Sequence, residues 1–252
     1  MFAGWAAALL ALAVSTGWGE NAFHAGAFIF IEEQPPFTSE DRTAKSVAFY
    51  LEDGGLVQRY ACEDYLIEEL KEASLPVAGV FRALNGIPSE SLPAKQESAE
   101  AMLPPSQAHP GHLRVIARQS GGARLSWAGQ PDAVPSRLAA LIRRAKALAA
   151  RAKRVPPASG AFLRADALDA DNLAEYRAGN SLKTLKNVEE MDPALRETLA
   201  HPFRLIPVSA GANPFSAFAM KGEPDRLRLL YKETSYEVIR YSWARPSRPA
   251  TP

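Results

Sequence analysis

Two Gly-Gly turns constrain this chain more than any other feature. Asp53-Gly54-Gly55 separates the β-rich runs 45–52 and 56–60, and Ser120-Gly121-Gly122 separates 113–119 from 123–128. Glycine accepts the positive φ that a tight turn needs, so each pattern reads as a hairpin. A segment with helical spacing follows each one. Cys62, Leu66, Leu70 and Ala73 fall at i, i+4, i+8 and i+11, which predicts a helix over 63–73, stopped by Ser74 and Pro76. After Pro131 and Pro135, Leu138, Leu141, Ile142, Ala145, Leu148, Ala149 and Ala152 share one face of a helix over 136–154. The expected fold class is therefore α+β: antiparallel hairpins each followed by a helix, followed by a C-terminal α+β segment. The glycine pairs recur 67 residues apart, so a duplicated ββα unit is one origin and chance recurrence of a common motif is the other.

The remaining elements follow from shorter signals. Phe28-Ile29-Phe30-Ile31 is an unbroken apolar run closed by Glu32-Glu33 and Pro35-Pro36, as in a buried strand. Strands are expected at 161–165, 203–208, 227–231 and 236–241. A helix is expected over 172–178, capped by Asp169 or Asp171. Asp192-Pro193 opens another that ends at His201-Pro202, because Asp accepts orphan N–H groups and Pro fits the first turn. The expected organisation is an acidic α+β unit over 20–87 and a linker or long loop over 88–112. A basic-helix unit with C-terminal strands follows over 113–243, then a Pro/Ser/Arg tail over 244–252.

Charge separates these units. The net charge of +1 hides −9 over residues 1–105, +9 over 106–160 and +1 over 161–252. Two readings compete. The acidic and basic segments face each other inside the protein or across a dimer, which favours correct docking. Otherwise the basic segment meets an anionic partner. Arg137, Arg144 and Arg151 recur every seven residues and form a stripe on the second helix.

Residues 1–19 carry no charged side chain, and 2–14 is almost entirely apolar. The length fits a signal-peptide core, with Gly17-Trp18-Gly19 supplying small residues before a cut at Glu20. No Lys or Arg precedes it. A membrane anchor and a buried N-terminal helix are the alternatives. Export to the periplasm or exterior is the expected localisation.

Chemistry is harder to find. The sequence holds no phosphate-binding or dinucleotide-binding glycine loop, no HExxH, no CxxC and no GxSxG. No cofactor and no metal site are expected. His109 and His112 lack nearby ligands, and Asp166, Asp169 and Asp171 lack the calcium-loop pattern. Glu189, Glu190 and Asp192 show nothing that would raise a carboxyl pKa. Cys62 reads as core, and His201 as a helix-end residue. The loop 209–214, with Phe215 beyond it, follows a strand, where ligand sites concentrate. The candidate binding residues are therefore Arg137, Arg144, Arg151, Ser209, Asn213 and Phe215. The expected function is an exported, non-catalytic binding or assembly protein acting through its charge asymmetry. Its partner would be a protein, a second copy or an anionic surface, with no nucleic acid, and with membrane contact only through an uncleaved leader. A hydrolase with dispersed residues and a membrane-associated subunit are the alternatives.

Overall fold

The computed structural model describes residues 26–36, 45–88, 111–156, 160–167, 183–184, 191–209, 212, 214–215, 226–231 and 234–244. The leader, most of the 88–112 connector, Asp169, Asp171, Glu189, Glu190, Asn213 and the tail lie outside them, as do the expected helix over 172–178 and His109.

The expected repeat of hairpin-plus-helix units is not the architecture. Twelve described strands join one mixed sheet. Strands β1 (Phe28–Gln34), β2 (Lys45–Glu52), β3 (Leu56–Glu63), β4 (Leu66–Ser74), β5 (His112–Arg118) and β6 (Arg124–Gly129) pair antiparallel in the order β6-β5-β1-β2-β3-β4. The two hairpins are therefore parts of one layer, with β1 between β2 and β5.

The predicted helix over 63–73 is replaced by a hairpin whose return strand is β4. Asp64 and Tyr65 make its turn, both at positive φ (45° and 66°), the geometry that matches strand twist. The helical spacing was produced by a β-bulge. Ala61 pairs with Glu69 while Cys62 pairs with Ile67, leaving Glu68 unpaired. One extra residue breaks the two-residue period, so Ile67 and Leu70 are both buried despite their odd separation. The first helix comes later, as α1 (Ala78–Asn85), beyond Pro76 rather than before it.

The second unit matches its reading more closely. Strands β5 and β6 flank the Gly121-Gly122 turn, where Gly122 takes φ +86°. Helix α2 spans Ser136–Ala149 and buries Leu138, Leu141, Ile142, Ala145 and Ala149. A two-residue strand, β7 (Lys153–Arg154), then pairs with the Lys71–Glu72 stretch of β4. Its exposed cations cap part of that sheet edge.

The C-terminal strands extend the same sheet. Strand β12 (Thr234–Trp243) meets β4 in parallel at Leu66 and Ile67 and carries β8 (Ala161–Ala167) on its other side. Strand β10 (Ile206–Val208) pairs with β8. Strand β11 (Arg226–Tyr231) joins β12 to β9 (Lys183–Thr184). Helix α3 (Pro193–Ala200) opens at Asp192, whose carboxylate accepts the Ala194 N–H at 2.8 Å.

This arrangement buries both faces of β1. Phe28 and Phe30 join a core formed with β8, β10, β11, β12 and α3, whereas Ile29 and Ile31 join a second core under α1 and α2. An alternating strand would leave one face polar, so the unbroken Phe-Ile-Phe-Ile run is what a strand covered on both sides requires.

In the first core, Arg164 of β8 reaches across to β1 and β3. Its guanidinium donates to Asp166 Oδ2 (2.9 Å), Glu32 Oε1 (3.1 Å) and the Tyr60 hydroxyl (3.0 Å). The Nε···Oδ1 approach to Asp166 is 2.7 Å, an ion contact outside hydrogen-bond geometry. The Phe30 and Tyr241 rings lie 5.4 and 5.3 Å from the charge. Burial alone would lower the Arg164 pKa, but Asp166, the two tyrosines and Glu32 together raise it. This network is an internal brace between the two ends of the sheet.

Candidate functional site

The helix α2 presents its polar side outward. Arg137, Arg143, Arg144 and Arg151 are exposed, as are Lys153 and Arg154 just beyond. Arg137 and Arg144 stand about 10 Å apart along the helix at the rise of roughly 1.5 Å per residue, and Arg151 follows just past its C-terminal cap, Ala150. None of these six cations pairs with an acidic side chain among the described residues.

The acidic segment, by contrast, is matched. Lys45 bridges Glu63 and Glu68 at 3.1 and 3.3 Å, Glu69 holds Arg59 and Lys71, and Glu72 accepts from Gln58. Two ion pairs join the acidic and basic segments: Lys146 with Glu33, and Arg114 with Glu32. Internal docking of the two segments therefore engages Lys146 and Arg114, and leaves the Arg137–Arg144–Arg151 stripe without an acidic cover among the described residues.

Of the other candidates, Ser209 is exposed just past β10, and Phe215 is packed into the first core at 2 % exposure. Asn213 lies outside the described residues. Cys62 is buried on β3, with its Sγ 3.1 Å from Ser46 Oγ, and burial raises its thiol pKa. Its core placement agrees with the sequence reading, although on a strand rather than a helix.

His201 sits where expected, at the C-terminal cap of α3, but it has a partner that the sequence did not indicate. Its Nδ1 is 2.6 Å from Glu52 Oε1, a residue 149 positions away at the end of β2. The Tyr50 hydroxyl donates to the same oxygen at 2.6 Å, and Arg204 lies 3.8 Å from Oε2. Tyr50, Glu52 and His201 border a recess of about 200 Å³ whose walls include Ala27, Phe28, Asp53, Ala200 and Pro202. No serine, threonine, cysteine or lysine lines it, so Ser209 does not join His201 and Glu52 there. Compared with family models, with curated proteins and with solved structures, the chain matches none of them. Among the described residues, no three His, Cys, Asp or Glu side chains converge as metal ligands, and no helix is long and apolar enough to cross a membrane.

Burial by itself would raise the Glu52 pKa. The bonds from His201 and Tyr50, with the nearby Arg204 charge, outweigh burial and hold it below its ordinary value of 4.5. A carboxyl with a lowered folded pKa stabilises the fold above its unfolded pKa, and that contribution is lost as pH falls through the folded value. Thermal melts between pH 7 and pH 3 are expected to show stability falling below about pH 4.5. Glu52→Gln should lower the melting temperature at pH 7 and flatten that acid limb. An unchanged limb would show that other carboxylates set it.

Proposed function

We propose that this chain is an exported binding or assembly protein that docks an acidic protein surface through the arginine face of α2. The observation that carries the reading is the contrast between the two charge clusters. Glu63, Glu68 and Glu69 are paired with Lys45, Arg59 and Lys71 of the same sheet, whereas Arg137, Arg143, Arg144 and Arg151 have no acidic partner among the described residues. The helix is held rigidly by Leu138, Leu141 and Ile142 in the second core, so the arginines project from a fixed scaffold. Arg also presents a planar fork that matches carboxylates in two-point contacts.

The same packing favours a protein over a membrane. A helix that lies on lipid inserts a large apolar face. Here that face is consumed internally, and the small side chains of Ala147 and Ala150 are what lies exposed among the arginines. The export part rests on the uncharged stretch over 1–19. Intact mass of the protein from its host tests that part, with a mature start near Glu20 expected and an intact Met1 opposing it.

Docking is tested with poly-L-glutamate at low salt, followed by fluorescence anisotropy. Binding should weaken about tenfold in the triple variant Arg137→Gln, Arg144→Gln, Arg151→Gln, and should fade as salt shortens the screening length. Equal binding by the triple variant would remove the arginine face from the reading. Binding to phosphatidylglycerol vesicles but not to poly-L-glutamate would move it to a membrane.

A further inference from the structure

The recess beside His201 has a chemistry that the docking surface does not use. Its Asp53 carboxylate is fixed rather than floppy. Oδ2 accepts the Ala27 N–H at 3.1 Å, and the Asp53 N–H donates back to the Ala27 carbonyl at 3.1 Å. Oδ1 lies so close to Gly26 that a Cβ there would sit 2.6 Å from it, so a larger residue would displace the carboxylate. No cation partners Asp53 among the described residues. It is an oriented negative charge at the rim of a concave site.

On the inner wall the Glu52 carboxylate is already engaged. Glu52 Oε1 already accepts from both Tyr50 and His201, so the Tyr50 proton is engaged. The Ala27 amide is bound to Asp53. The Asp53 carboxylate remains, set beside the apolar walls of Phe28, Ala200 and Pro202. A matching guest therefore carries positive charge, several N–H donors and a short apolar body.

We infer that this recess binds a primary alkylammonium group, with Asp53 as its counter-ion. The group could belong to a free amine or to a lysine side chain of another polypeptide, and the chemistry is shared by both. The site is independent of the arginine face, which attracts the opposite charge.

The experiment titrates the full chain with n-butylammonium, and in parallel with n-butanol and with Nα-acetyl-lysine methylamide, while following the His201 ring signals by NMR. The expected result is a saturable shift with n-butylammonium at millimolar concentration, reasonable for so small a ligand, and none with n-butanol. Asp53→Asn, which keeps an oxygen for the Ala27 N–H, should weaken binding at least tenfold. The triple arginine variant should bind as the parent does, so loss of the docking reading leaves this one standing. Tighter binding of the lysine amide assigns the recess to a polypeptide partner, and tighter binding of butylammonium to a free amine; both support the proposal. No His201 shift in the unmodified protein, an equal response to n-butanol, or undiminished binding by a folded Asp53→Asn protein would overturn it.

Discussion

Replacing Asp166 by alanine is expected to destabilise the fold by about 3–5 kcal/mol, the usual result of stranding one partner of a buried ion pair. Arg164 is 4 % exposed and Asp166 is 7 % exposed. Asp166 contributes the nearest charge to the guanidinium, at 2.7 and 2.9 Å. Glu32 and the Tyr60 hydroxyl would remain, but neither replaces the adjacent Asp166 charge, and an arginine cannot shed its proton to escape. The double variant Arg164→Met, Asp166→Leu should recover most of the loss, because two apolar side chains need no compensation. Urea unfolding with an unchanged m-value measures both effects. A single-variant loss under about 1 kcal/mol would show that water or Glu32 already satisfies Arg164. A double variant as damaged as the single would give the pair a role beyond charge balance. Such a role is geometric here, since Arg164 ties β8 to β1 and β3 across the first core.

That brace shows which parts of the molecule were legible in the sequence. Local rules found β1, the two glycine turns, α2 and the Asp192-Pro193 helix start, because each is set by residues within a few positions of one another. The bulge at Glu68 defeated the same rules. It converted a period of two into spacings that imitate a helix, and the Asp64-Tyr65 turn lacks the glycine that marks a hairpin. Pro76 reads as the end of a helix but instead lies two residues before the start of one, just outside its N-cap Val77. The recess was out of reach for a different reason. Glu52 and His201 are 149 residues apart, and Arg164 and Glu32 are 132 apart. No spacing rule joins such pairs, because only the sheet brings them together. The arginine stripe was visible from its seven-residue period. Its lack of acidic partners became visible only when Lys45, Arg59 and Lys71 were found holding the glutamates of the acidic segment.

Phe203→Ala is expected to cost about 3–5 kcal/mol, as for other buried aromatic truncations. The ring is 1 % exposed, stacks on Phe30 with centroids 4.8 Å apart, and lies beneath the Arg114 guanidinium at 5.7 Å. Its backbone is held as well, since the Phe203 N–H donates to the Ala165 carbonyl at 2.9 Å. Phe203 is also one of three described non-glycine residues at positive φ, at 69°. A left-handed residue with a Cβ carries about 1–2 kcal/mol of strain. Alanine keeps that strain and loses the ring, whereas glycine loses the ring and the strain together. Phe203→Gly is therefore expected to be more stable than Phe203→Ala by about 1 kcal/mol, the reverse of the order at an ordinary position. Glycine less stable than alanine would mean that the backbone relaxes once the ring is gone. The recess supplies a second readout. Phe203 lies between Pro202 and Arg204, so the ring anchors the turn that presents His201 to Glu52. If that anchoring sets the 2.6 Å contact, both variants should blunt the acid limb of stability that Glu52 produces, and glycine, with the looser backbone, should blunt it more. An acid limb of parental steepness in both would place the control of His201 in α3 instead, where its N–H is held by the Glu197 carbonyl at 3.0 Å.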